Sequence, residues 1–190
     1  KKVRAIVRLA RAALGDEVYR AENVWFRDIA RELSATRDQT AALESFDLLL
    51  ETSTDKDEVK LFAPIRAAIA ARADGGGASE DFVASRLNFA VRRLETARDR
   101  VAEWHFLREG FDALAPGLAK VYDRGRREMA VVRREPTDEQ FHDLRKRVKY
   151  HAYHIRLFAP IWPAVLEAAR DQSMELAEAI GTDHDLVVLR

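Results

Sequence analysis

The chain has no cysteine. That removes disulfides, thiolate metal ligands and cysteine nucleophiles together, and it fits a reducing compartment, the cytoplasm. No apolar run approaches the roughly 20 residues a membrane span requires, and no signal peptide is visible. Proline stands only at 64, 116, 136, 160 and 163. Strand-type alternation is missing, whereas Ala, Leu, Arg and Glu are abundant, and these favour helix. With 190 residues, 47% of them hydrophobic, the chain can bury a real core. An all-α fold is predicted. The chain opens at Lys1-Lys2 without a methionine or N-cap and stops at Arg190 without a C-cap, which reads as a segment of a longer polypeptide.

Net charge is also absent: 32 basic side chains balance 32 acidic ones. Balance hides segregation. Residues 1–11 hold Lys1, Lys2, Arg4, Arg8 and Arg11 and no acid. Residues 142–156 hold Arg145, Lys146, Arg147, Lys149 and Arg156 against Asp143 alone.

Periodicity and caps predict helices over 1–14, 16–33, 36–50 and 54–72. Gly15 ends the first, Asp16 caps the second, and Thr36-Arg-Asp-Gln39 has capping-box spacing for the third. Gly75-Gly76-Gly77 centres a linker over 73–79, which separates a first half, 1–72, from a second, 80–190. A fifth helix follows from Ser79 to about 98, and 103–114 continues helical. Pro116-Gly117 opens a helix to about 134, and the capping box Thr137-Asp-Glu-Gln140 opens another to about 158. Pro160 and Pro163 bracket a turn, and the next helix ends at Gly181, after which Thr182 or Asp183 caps a last one. The stretch from Lys1 to Arg37-Asp38 parallels that from Lys149 to His184-Asp185, with Arg8-Leu9 and Arg156-Leu157 in register. This suggests two similar helical bundles about a pseudo-two-fold axis.

His142, Arg145, Lys146, Lys149, Tyr153 and Arg156 recur at steps of three and four and form one stripe of a helix. Phe141, Leu144, Val148, Ile155 and Phe158 form the opposite one. Neighbouring like charges on a helix cost about 0.2–0.5 kcal/mol per pair, so an unrelieved cationic row calls for a reason. Lys1, Arg4, Arg8 and Arg11 make a second row, and Lys120, Arg124 and Arg127, with Arg126 at its edge, a third. Such rows suit a long polyanion, since Arg offers forked hydrogen bonds to phosphate and Lys a point charge. The plainer alternative is a solvated basic face paired with acids on neighbouring helices. Nucleic acid is not the expected anion: there is no recognition helix-turn-helix and no aromatic platform among the basic residues.

His184 with Asp183 and Asp185 invites a metal-dependent phosphohydrolase reading, but further ligands are not evident, and two aspartates at a helix start also serve as cap and dipole partner. His151 and His154, beside Tyr150 and Tyr153, read as a half-buried hydrogen-bonding layer. No nucleophile–base pair, phosphate-cradling glycine loop or paired-carboxylate constellation stands out. Neither enzymatic activity, a metal nor a cofactor is expected.

Three segments carry a family resemblance: His142-Asp-Leu-Arg-Lys-Arg-Val-Lys149, Tyr153-His-Ile-Arg-Leu-Phe-Ala-Pro-Ile-Trp-Pro163 and Gly181-Thr-Asp-His-Asp-Leu-Val-Val-Leu-Arg190. With Pro116 to Arg127 and Lys2 to Gly15, they make the chain resemble the CHAD family, the conserved-histidine α-helical domains. The resemblance implies one domain over 1–190 made of two four-helix bundles related by a pseudo-two-fold axis, with basic residues lining a central groove. It implies binding of inorganic polyphosphate without chemistry, often at polyphosphate granules. His142, Arg145, Lys146 and Lys149 match the motif that names the family; Arg124, Arg126 and Arg127 match its Tyr-x-Arg-Gly-Arg-Arg run; Lys1, Lys2, Arg4 and Arg8 match the basic helix of its first half. Arg156, and Arg37 aligned with His184 in the repeat, complete the expected groove. Ala152 stands where the family has a larger residue, Asp123 interrupts a run that is often more basic, and a His-x-x-Arg-Lys segment of the family lies before Lys1.

Overall fold

A computed structural model describes the backbone of residues 1–52, 56–75 and 80–188, and the side chains of 1–33, 43, 46–47, 50–51, 60–71 and 81–182. Among the described residues there are seven α-helices and no strand: α1 (Lys2–Leu9), α2 (Arg11–Thr52), α3 (Lys56–Gly75), α4 (Glu80–Ala102), α5 (Ala115–Arg134), α6 (Asp138–Phe158) and α7 (Pro163–Val188). Short 3-10 turns precede α5 and α7, at Gly110–Ala113 and Ala159–Ile161. None of these helices is long and apolar enough to cross a membrane.

The chain folds as two compact units. One joins Lys1–Arg27 to Ala102–His184; the other holds Asp28–Val101 with Asp185–Arg190. The N-terminal 27 residues thus pack with helices from the far end of the chain, a grouping that does not follow the sequence halves on either side of 73–79.

In the first unit, α1 lies on α5 and α6. Ala5, Val121 and Tyr150 form one buried cluster with Tyr153 against it. Val132, Leu144 and Ile180 form another with Met129, Phe141 and Val148. Gly117 decides how closely α1 and α5 approach. A Cβ at this position would lie 2.1 Å from the Leu9 carbonyl oxygen and 2.8 Å from that of Arg8, so only glycine fits. The α6 start matches its capping box: the Gln140 amide donates to Thr137 Oγ1 at 3.4 Å and the Thr137 amide to Gln140 Oε1 at 3.2 Å.

In the second unit, Phe46 packs edge-on to Phe62 at 6.3 Å. Arg66 grips Asp47 through two hydrogen bonds of 2.6 and 2.8 Å, and Arg86 pairs with Glu32. Ile29, Phe46, Ala90 and Ala97 are buried.

Four local expectations are corrected. The first helix is interrupted at Ala10, after Leu9, and resumes at Arg11, while the expected break at Gly15 (φ 77°) is present. Positive φ is cheap only for glycine. No new helix begins at Thr36: α2 runs on to Thr52. Residues 103–109 are not helical; the Leu107 amide instead donates to the Ala13 carbonyl at 2.7 Å. Finally, α7 passes through Gly181 to Val188. Gly181 lies under the Arg145 guanidinium, and a Cβ there would displace the end of that flexible side chain.

Candidate anion-binding site

Three helices of the first unit bring arginines together. Arg4 and Arg8 stand one turn apart on α1, Arg124 comes from α5 and Arg147 from α6. Arg8 Nη1 donates to the Tyr19 hydroxyl at 2.8 Å, and its guanidinium sits 5.1 Å above the Tyr150 ring. Arg4 Nε donates to Asn23 Oδ1 at 3.2 Å. Arg147 crosses α5 at Gly125, where an added Cβ would meet the Arg147 Cβ at 3.6 Å.

The electrostatics match this convergence. Burial pushes the Arg147 guanidinium below its ordinary range, and Arg124 and Arg8 push it the same way, with Asp143 and Glu128 opposing. Burial likewise lowers Arg4, with Arg8 and Arg27 adding to the effect against Tyr150 and Tyr19. Guanidinium stays charged through such shifts. Of the two bordering carboxylates, Glu128 accepts from Arg124 of the cluster at 3.2 Å, and Asp143 pairs with Lys146. The Lys146 hydrogen bond holds the Asp143 carboxyl below its usual range. Nε of both Arg8 and Arg147 is buried without a hydrogen-bond partner. Among the described residues, neither arginine pairs with a carboxylate.

Of the expected site residues, Arg4, Arg8 and Arg124 meet in this cluster. Lys1 and Lys2 are exposed at the start of α1, and Arg126, Arg127, His142 and Arg156 are exposed on α5 and α6. Lys149 is half-buried. Arg126 lines a cavity that Arg147 also lines. Arg145 serves the fold: Nε donates to the Ala177 carbonyl at 3.1 Å, and the guanidinium lies over Gly181. Arg11 is paired with Asp16 at 2.7 Å. Arg37, Asp183, His184 and Asp185 fall outside the described side chains, so the phosphohydrolase reading built on the last three has no described geometry. Among the described residues, no three His, Asp or Glu side chains group as metal ligands.

Sequence reasoning missed Arg147, Tyr19 and Tyr150. Counting from His142 puts Arg147 beside the cationic stripe, and only the α5–α6 crossing reveals its role. The available signal was Gly125, a small residue inside an otherwise strong helix. The aromatic rings absent from the expected site are present here, but arginine guanidinium groups cover them: Arg8 lies over Tyr150, and Arg11 over Tyr19 at 4.6 Å.

Replacing Arg145 with alanine should therefore cost about 1–2 kcal/mol of stability, seen as a lower urea midpoint. Leaving the midpoint unchanged would return Arg145 to the binding face.

His154 is wholly buried, and its Nε2 lies 2.8 Å from the Ala5 carbonyl. A carbonyl only accepts, so Nε2 carries the proton, as the expected hydrogen-bonding layer requires. Burial holds His151 and His154 below the ordinary imidazole value, the first reinforced by His154 and the second opposed by its Ala5 bond. A base depressed in the folded state binds its proton more readily when unfolded. The stability difference is full above the ordinary value and is lost as pH falls from there toward the depressed values. Urea midpoints should fall between about pH 7 and about pH 5, and His154→Gln should flatten that fall. An unaltered slope in the variant would assign the dependence to other groups.

The family model of the CHAD domain matches residues 1–190. The chain belongs to the CHAD domain family. No curated protein and no solved structure matches it. Its helical composition agrees with the resemblance drawn from the sequence.

Proposed function

We propose that this CHAD domain binds inorganic polyphosphate, without chemical turnover, at the arginine cluster of α1, α5 and α6. One observation carries the reading: half-buried Arg8 and Arg147 lie beside other arginines, each with a buried, unpartnered Nε and without an ion pair to a carboxylate among the described residues. Such an arrangement costs stability in the free protein. An anion with several phosphoryl oxygens offsets that cost, because each guanidinium then gains short charge-assisted bonds. Lys1, Lys2 and Arg4 extend the cluster along α1, and Lys146, Lys149 and His142 lie along α6, so a chain of repeating charges has more to meet than a single phosphate. The family is associated with polyphosphate binding, which agrees with this chemistry. The same reading places the protein in the cytoplasm, at polyphosphate granules.

Binding of this kind releases counterions and weakens steeply with salt, a law stated for nucleic acids and applied here to another polyanion. Titration with long-chain polyphosphate at two salt concentrations tests it, with pyrophosphate and duplex DNA as controls. Tight, salt-sensitive binding of the long chain alone is expected. DNA competing as well as polyphosphate would instead make the domain a general polyanion or acidic-partner scaffold.

A further inference from the structure

A second feature of the first unit lies between α5, α6 and α7. Two cavities open along the same seam, of about 820 and 660 Å³. Tyr122 and His151 line both, with ring centroids 5.2 Å apart, so the two are sections of one trough. Toward the C-terminus of α5 the trough carries Arg126, Arg133 and Arg134, with Arg147 from α6, above Leu144, Val148 and Leu176. Toward the N-terminus of α5 it is apolar, walled by Phe111, Leu118, Ile155, Phe158, Ile161 and Leu166. Along α5 it runs for roughly 28 Å at 1.5 Å per residue.

We infer that this trough docks one amphipathic α-helix of a partner protein, apolar along one stripe and bearing carboxylates at the end beside Arg126, Arg133 and Arg134. Length and shape fit: three helices leave a seam whose ridges and grooves match a fourth. The apolar end is too open for a finished surface, with Ile161 76%, Trp162 62% and Phe111 60% exposed. Charge fixes the polarity of the occupant. Arg126, Arg133 and Arg134 are exposed, and no carboxylate pairs with any of them among the described residues. A second copy of this chain, whose exposed apolar helix positions include Leu61 and Ile65 on α3 and Leu87 and Val91 on α4, is the competing occupant, and sedimentation tests for it.

The inference does not rest on polyphosphate binding. Its test uses synthetic helical peptides of roughly 20 residues, the length of α5. Each has leucines at i, i+3, i+4 and i+7. Two carry glutamates, at the N-terminal or the C-terminal end, and two carry lysines there instead. Titrated against the intact protein by fluorescence anisotropy, one glutamate peptide should bind saturably at one per chain. Its lysine counterpart should bind at least about tenfold more weakly, since one close charge pair exchanged for repulsion is worth that much. Phe111→Asp with Ile161→Asp should abolish binding while leaving polyphosphate affinity unchanged, because both side chains are exposed and neither belongs to the arginine cluster. No saturable binding overturns the inference, as does equal binding of the lysine peptides. So does a dimer, seen by sedimentation, that Ile161→Asp dissociates. The peptide comparison uses the unaltered protein, so it stands even if the aspartate variant unfolds.

Discussion

Arg147→Met should raise the stability of the free protein and lower its affinity for polyphosphate. The two changes have one cause. In the free protein, the Arg147 guanidinium is desolvated, faces Arg124 and Arg8, and keeps a buried Nε without a partner. Methionine retains the apolar stem that packs at Gly125 and removes the unmatched donor and charge. Relief of an unsatisfied buried polar group is worth about 1–3 kcal/mol, so a gain of about 1 kcal/mol or more in urea unfolding is expected. The lost charge-assisted bonds to phosphate, about 1.5–3 kcal/mol, correspond to a roughly tenfold to hundredfold loss of affinity. An arginine held for structure would respond in the opposite way, with stability falling on substitution. Opposed signs in one variant mark a residue retained for binding at the expense of the fold.

The second large effect is structural. Gly117→Ala should destabilise the protein by about 3 kcal/mol or more, because the new methyl meets backbone atoms of Leu9 and Arg8 that no rotamer change can move. It should also weaken polyphosphate binding, since pushing α1 off α5 carries Arg4 and Arg8 away from Arg124 and Arg147. Gly125→Ala is the matched control on the same helix. Its Cβ meets only ordinary contact with Arg147, and the gain in helix propensity is about 1 kcal/mol, so this variant should be neutral or stabilised. Urea unfolding of both, measured together, checks the pair. Equal losses would mean that the α1–α5 contact does not set the geometry.

Much of this was legible in the sequence where the signal is local. The Thr137 capping box and the Pro116-Gly117 start bound α5 and α6 as written, because a cap depends on residues only three apart. The apolar stripe of α6 was legible too: Leu144 and Ile155 are buried, as their spacing requires. Tertiary packing overrode the sequence signal elsewhere. Thr36 and Gln39 have capping spacing, yet the backbone continues through them as helix. Gly181 carries the same letter whether it ends a helix or lies within one under a guanidinium, and only the proximity of Arg145 distinguishes the two. The candidate site divides along the same line. Rows of cations on α1 and α6 follow from helical periodicity. That Arg145 turns into α7 while Arg147 joins Arg8 and Arg124 follows from how three helices cross, which no single-helix pattern contains.

The central claim is that the unpartnered arginine nitrogens of α1 and α6 are where phosphate binds. The most direct measurement is ¹⁵N NMR of the arginine Nε–Hε groups as long-chain polyphosphate is added. The Arg8 and Arg147 signals, assigned through their alanine or methionine variants, should shift strongly and become protected from exchange, while exposed Arg98 and half-buried Arg170, each beside an adjacent aspartate, should barely move. If polyphosphate binds and the Arg8 and Arg147 signals stay in place, the cluster is not the site.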